Sequence, residues 1–241
     1  MAATTDKLLM KFGLTQAFPC SYLPDQSEQL LVYVEDNQDL RSQYSVLIRA
    51  GFRRSGDQIY RPHCRHCNAC QSIRVVSDEF TPSKSQKRIL SKNRAVEIQV
   101  RRNLQANYYS LYEAYITERH ADGSMYPPSI SQFINFIDCE WNAPLFFEAW
   151  QDGELVAVSI VDELEEAYSA LYCFFAPHLA HRSLGKFMIM QIIRHAVAQN
   201  KPYVYLGYQV DACRKMNYKQ EFLPHERFFD NKWHRIVKKI D

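Results

Sequence analysis

From Asn107 onward, apolar and aromatic side chains recur at three- and four-residue spacing: Tyr108, Leu111, Tyr112, Tyr115 and Ile116. That period lines them along one face of an α-helix. The turn formers Ala121-Asp122-Gly123 and the pair Pro127-Pro128 stop it near His120. A second helix over 129–139 carries Ile130, Phe133, Ile134 and Ile137 on one side, with Ser129 placed to cap its free amides. Three strand-like runs follow at 145–150, 155–164 and 167–175, with connections short enough to be hairpins. A long apolar helix over 184–198 then leads through Asn200 and Pro202 into a strand over 203–208.

The first hundred residues show no such clear period. Short strand-like runs at 30–36 and 73–80 are separated by turn formers, and a basic helix over 85–93 follows Pro82. The pattern predicts an α/β (α+β) chain in two parts, a small Cys-containing N-terminal domain over 1–104 and a larger domain over 105–241. Two helices, an antiparallel meander, a helix and a strand make an order that resembles the GNAT acyltransferase fold. Likeness of fold alone leaves the acyl donor open.

A chain of 241 residues has room for two modest cores, and 46% apolar against 23% charged residues excludes extensive disorder. No apolar run approaches the roughly 20 residues that cross a bilayer. The N-terminal stretch lacks the basic start and apolar run of an export signal. A cytoplasmic protein without a membrane partner is expected. Net charge adds more. It is only +2, yet residues 53–102 hold twelve Lys and Arg against four Asp and Glu. Such a segment is either a polyanion site or a solvated basic face.

Seven Cys, an odd number, argue for thiols or metal ligands over a disulfide framework. Cys64, Cys67 and Cys70 stand three residues apart, a spacing at which thiolates share one metal, and Cys20 is the candidate fourth ligand. Zinc and an iron–sulfur centre both accept such donors. Two other readings stand beside this one: a loop of packed, reduced thiols, and a redox sensor activated by Arg61, Arg65 and Arg74.

The run from Tyr60 through Cys64, Cys67 and Cys70 to Arg74, with the stretch Phe80 to Arg88, resembles the N-terminal region of the arginyl- and leucyl-tRNA–protein transferases. The likeness continues through Tyr115 to Met125, Ser183 to Phe187, Tyr203 to Tyr208 and Lys215 to Lys219, so it covers nearly the whole chain. Length and the triple-Cys loop look like the bacterial branch. This resemblance implies transfer of leucine from Leu-tRNA to proteins beginning with Asp or Glu, which marks them for degradation. Arginyl transfer is the nearest alternative; an acyl-CoA N-acyltransferase and a non-catalytic RNA-binding zinc module are the others. Where the eukaryotic branch has a CxxC, this chain reads Cys20-Ser21-Tyr22-Leu23.

For such a reaction the donor ester is already activated, so the acceptor amine needs orientation, loss of a proton and a stabilised oxyanion, and no cofactor is required. An acidic first residue calls for Arg. Arg74 and Arg119 are the candidates for it; Arg119, His120 and Asp122 form the candidate catalytic set, with Asp122 placed to hold the α-ammonium. Capping of the helix end by Arg119 and His120 is the plain alternative. Lys84, Lys87, Arg88, Lys92 and Arg94, supported by Lys215 and Lys219, are assigned to tRNA phosphates. Tyr168, Tyr172, Phe174, Tyr205 and Tyr208 alternate along strands and are assigned to an aminoacyl pocket, against the alternative that they are core. In Arg182-Ser-Leu-Gly185-Lys-Phe187, Phe187 hinders the close backbone approach that CoA pyrophosphate needs, and Ser183 is the expected helix cap.

Overall fold

The computed structural model describes residues 10–34, 40–123 and 125–238. In chain order the strands are β1 (Phe12–Leu14), β2 (Phe18–Pro19), β3 (Ser27–Glu28), β4 (Leu30–Tyr33), β5 (Arg53–Ser55), β6 (Gln58–Pro62), β7 (Gln71–Val76), β8 (Glu97–Arg101), β9 (Leu145–Gln151), β10 (Glu154–Glu163), β11 (Ala167–Phe175), β12 (Tyr203–Gln209), β13 (His225–Phe229) and β14 (Lys232–Ile236). The helices are α1 (Leu40–Leu47), α2 (Lys84–Lys92), α3 (Tyr108–Arg119), α4 (Ile130–Ile137) and α5 (Leu184–Ala198). The end of the expected 30–36 strand lies outside the described residues.

An eight-stranded sheet of order β14-β13-β7-β12-β11-β10-β9-β8 forms the body of the molecule. One face buries α5, whose Leu184, Met188 and Ile192 pack with Phe147, Val156 and Val204. The other buries α3 and α4 through Tyr108, Tyr112, Phe133 and Ile137 against Phe146, Ile160 and Phe174. The run β8-α3-α4-β9-β10-β11-α5-β12, with β12 parallel to β11 and the meander antiparallel, has the GNAT-like order. Caps and period explain the helices. Ser129 accepts from the Gln132 amide at the start of α4, and Ser83 with Gln86 closes a capping box on α2. Ser183 does not cap α5 as expected. It takes a left-handed conformation with no side-chain hydrogen bond to the helix, because it ends the 3₁₀ turn Pro177–Arg182.

A four-stranded sheet, β1-β4-β6-β5, together with α1 covers one region of the large sheet, burying Tyr44, Ile48, Phe52 and Ile59 beside Ala167 and Tyr205. The expected division at 104/105 does not follow the sheets. β7 lies inside the large sheet between β13 and β12, and β8 forms its edge, so residues 71–101 share the larger body. Arg54 locks the two sheets together. Its guanidinium meets Asp162 at 2.9 and 2.5 Å, both side chains are fully buried, and Asn142 also donates to that carboxylate at 2.9 Å. Gly56, in the turn between β5 and β6, must be glycine: its φ is +54°, and a Cβ would lie 2.5 Å from the Asn135 carbonyl oxygen.

Candidate functional site

β11 and β12 pair in parallel only from Ala167–Ser169 to Tyr203–Tyr205 and then part. Beyond that point each strand keeps backbone groups that its neighbour does not satisfy. Arg53, from β5, enters the parting and donates to the Ala170 carbonyl at 2.6 Å. Lys219, on the 3₁₀ turn Asn217–Glu221, donates to the Tyr208 carbonyl at 2.5 Å. Arg53 and Lys219 are 4% and 6% exposed, and neither forms an ion pair among the described residues. Burial, and then the nearby Arg53 charge, lower the Lys219 pKa to about 7.

The end of α3 borders the same region. Tyr115 packs on Phe175 of β11 with ring centroids 4.9 Å apart, and its hydroxyl lies 3.1 Å from Nε2 of half-buried His120. Burial pushes the Tyr115 hydroxyl up to about 12. Burial, followed by the charges of Lys215 and Arg119, lowers the His120 pKa, so its imidazole is neutral near pH 7. Arg119 is exposed, its guanidinium 5.6 Å from the centre of the Phe175 ring. Asp122 pairs with Lys215 at 2.8 Å, which ties the loop after α3 to the segment carrying Tyr218 and Lys219. The candidate trio is thus brought together at one edge of the strand parting. Asp122 reaches an incoming ammonium only by exchanging its Lys215 partner.

Other expected residues fall elsewhere. Arg74 is no free receptor for an acid: it donates to Glu226 at 2.7 Å and is sandwiched between Tyr203 and Trp233, 3.7 and 4.1 Å from their ring centres. Lys219 is no phosphate contact, being buried. The five aromatic residues assigned to one pocket are divided among three environments. Tyr168 faces α5, Tyr172 and Phe174 face α3 and α4, Tyr205 faces the small sheet, and the Tyr208 hydroxyl donates to the Gly51 carbonyl at 3.0 Å. Bulges cause this. A register shift sets Val161 opposite Ala170 but Ile160 opposite Tyr172, so the strict alternation of faces breaks at Leu171. A second shift, between Tyr205 and Gly207, does the same in β12.

Lys84, Lys87, Arg88, Lys92 and Arg94 are all exposed on or just after α2, where a polyanion can reach them, although Lys92 also donates to the His181 carbonyl at 3.1 Å. Their backing is firm, since Asn93 donates to the Ile89 and Arg182 carbonyls at 2.9 and 3.0 Å. Much of the remaining basic charge of 53–102 is structural: Arg54, Arg74, Arg101 and Arg102 pair with Asp162, Glu226, Glu148 and Glu163.

Cys20, Cys64, Cys67 and Cys70 line one cavity of about 220 Å³, together with Glu28, His63 and Tyr208. Burial, reinforced by the neighbouring Cys64, raises the Cys70 thiol to about 12. Thiolate donors suit zinc or an iron–sulfur centre. Among the described residues, no three His, Cys, Asp or Glu are arranged as a ligand set. No step is routed through a metal. Among the candidate site residues, sequence reasoning did not single out Arg53, Tyr115 or the Tyr218 that neighbours Lys219. Tyr115 and Tyr218 stand within the family-like runs 115–125 and 215–219, whereas nothing in the sequence around Arg53 distinguishes it from its neighbour Arg54.

Residues 18–88 match the family model described as Arginine-tRNA-protein transferase, N terminus, and residues 107–229 match its C terminus counterpart. Over 230 residues the chain is 54% identical to a protein of Pseudoalteromonas atlantica named Aspartate/glutamate leucyltransferase, covering 95% of this chain and 99% of that one. A protein of the same name from Aeromonas salmonicida is 48% identical over 98% of this chain and 99% of its own length. A third, from Vibrio campbellii, is 42% identical over 95% of this chain and 99% of its own.

Proposed function

This chain belongs to the arginine-tRNA–protein transferase family, and from that premise we propose that it moves leucine from Leu-tRNA to the α-amine of proteins beginning with Asp or Glu. One observation carries the choice of leucine: near full-length relatives at 42–54% identity are named Aspartate/glutamate leucyltransferase. The product, a protein with a new N-terminal leucine, is marked for degradation. Charged tRNA is made in the cytoplasm, and the reaction belongs there. No described helix is long and apolar enough to cross a membrane.

The geometry supports a direct transfer. The acceptor amine attacks the ester carbonyl, a C–N bond forms, the C–O bond to the terminal ribose breaks, and one proton passes from nitrogen to the departing oxygen. An α-ammonium with a pKa of about 7.7–8.0 loses its proton readily, so a weak base suffices. Neutral His120, held at Tyr115, is that base, and Arg119 at the end of α3 faces the developing oxyanion. Asp122 holds the ammonium before attack in place of Lys215. The acceptor stem lies along the exposed cations of α2 and Arg94. Because the ester carries its own activation, the chemistry draws on no cofactor. The thiol-lined cavity has no part in this step.

Transfer assays with labelled Leu-tRNA, Arg-tRNA and acetyl-CoA, against peptides starting with Asp, Glu, Lys or Ala, test this reading. Label is expected only from Leu-tRNA and only on the Asp and Glu peptides. Arginine or acetyl transfer, or equal labelling of the Ala peptide, contradicts it.

A further inference from the structure

Two buried cations without a counter-charge are costly. Each loses its hydration, and each repels the other in a medium of low dielectric. Arg53 and Lys219 are such a pair, the cost showing in the Lys219 ammonium, which burial and Arg53 make ready to give up its proton near neutral pH. Both are more than nine-tenths buried, they converge on consecutive residues of β12, and no carboxylate among the described residues answers either of them. The contrast with Arg54 is direct, since that neighbour is matched by Asp162. Main-chain carbonyls satisfy part of the pair: Ala170 accepts from one guanidinium nitrogen, and Tyr208 accepts from the ammonium. The other terminal nitrogen of Arg53, Nη1, is buried with no partner among the described residues.

Space beside that guanidinium is kept open by Gly207. Its φ is +86°, and the nearest atoms to the position a Cβ would take, at 3.8–4.0 Å, belong to the Arg53 guanidinium. The pair also stands where β11 and β12 part, so the free edge of β11 can bind an extended peptide through main-chain hydrogen bonds, as an added strand does. A peptide entering there carries its first side chain toward the two cations and its amine toward the end of α3. A tRNA phosphate remains on a solvated backbone and suits the exposed cations of α2.

We propose that Arg53 and Lys219 are the receptor for the carboxylate side chain of the acceptor's first residue, and so set the enzyme's preference for acidic N-termini. This rests on the leucyl-transfer reading above and assigns it the site that Arg74, paired with Glu226, does not supply.

The competing role is a plug, in which the two cations serve only to satisfy the carbonyls of the parted strands. Two peptides identical except for a first residue of Asp or Asn separate the roles. With Leu-tRNA saturating, wild type is expected to favour Asp by at least about 100-fold in kcat/KM, since a buried charged receptor left unpaired penalises the neutral analogue. In Lys219→Met that ratio falls by about tenfold or more, through a higher KM for the Asp peptide, with the Asn peptide little changed. An unchanged ratio, both peptides slowing alike, overturns the proposal and leaves leucyl transfer standing. Wild type that transfers leucine to neither peptide overturns the functional reading and this one with it.

A second measurement covers failure of the Met variant to fold. The ζ-amine resonance of Lys219, assigned by its loss in Lys219→Arg, is expected to shift on addition of the Asp peptide and not the Asn peptide. No difference between the two peptides contradicts the assignment.

Discussion

Arg53 and Arg54 are adjacent and both buried, yet opposite in character. Arg54 spends its charge on Asp162 and joins the two sheets, whereas Arg53 keeps a nitrogen unpaired among the described residues, beside Gly207. Lys219 shows the consequence in its titration. Its folded pKa, about 7 because of burial and then Arg53, lies below the ordinary lysine value. Between the two values the unfolded chain binds the proton that the folded chain gives up. This lysine's contribution to stability is therefore complete above about pH 10.4 and is lost as pH falls through about 7. Melting temperatures of wild type and Lys219→Met across pH 6–9 check the sign: wild type gains on the variant as pH rises. A constant difference contradicts it. No residue-level signal in the sequence separates Arg53 from Arg54, because burial and pairing are decided by strands more than a hundred residues away.

Among the elements, the ones read correctly are those long enough to show a period. α3, α4, α5 and the meander strands fall close to their expected limits, because their apolar faces repeat several times. β5, β6, β8, β13 and β14 have at most five residues each and carry charged or polar side chains, so they give no comparable signal. Bulges were equally hidden. The shift at Leu171 turns Tyr172 and Phe174 away from the face that holds Tyr168, and a pocket inferred from alternation alone is split as a result. α2 is the element proposed to meet RNA through its exposed cations. Replacing Lys87 and Arg88 by Ala together is expected to weaken Leu-tRNA binding and to flatten the plot of log K against log salt by about 1.4–1.8, or about 0.7–0.9 per lost phosphate contact. Titrations at several salt concentrations measure this, and an unaltered slope marks α2 as a merely solvated face.

On the scale of the whole molecule, the two parts expected from sequence share one sheet. β7 supplies a central strand from the N-terminal part, and Arg53 crosses from the small sheet into the parting of β11 and β12. The division drawn at 104/105 follows the change of hydrophobic period, which does not report that a strand from one side completes a sheet on the other. This interleaving sets the exposed cations of α2, the end of α3 and the Arg53–Lys219 pair on a single body. On the proposed reading, a donor held on α2 and an acceptor entering between the strands meet at His120.

Where the acceptor enters is tested most directly by photo-crosslinking. A peptide with an N-terminal Asp and a photoreactive second residue is bound to the enzyme and irradiated, and the crosslinked sites are identified by mass spectrometry. Crosslinks to Tyr172–Phe175 and to Tyr218, competed by unmodified Asp peptide, are predicted. Crosslinks confined to the far side of the thiol-lined cavity around Cys20 and Cys64, or to α2, contradict the account.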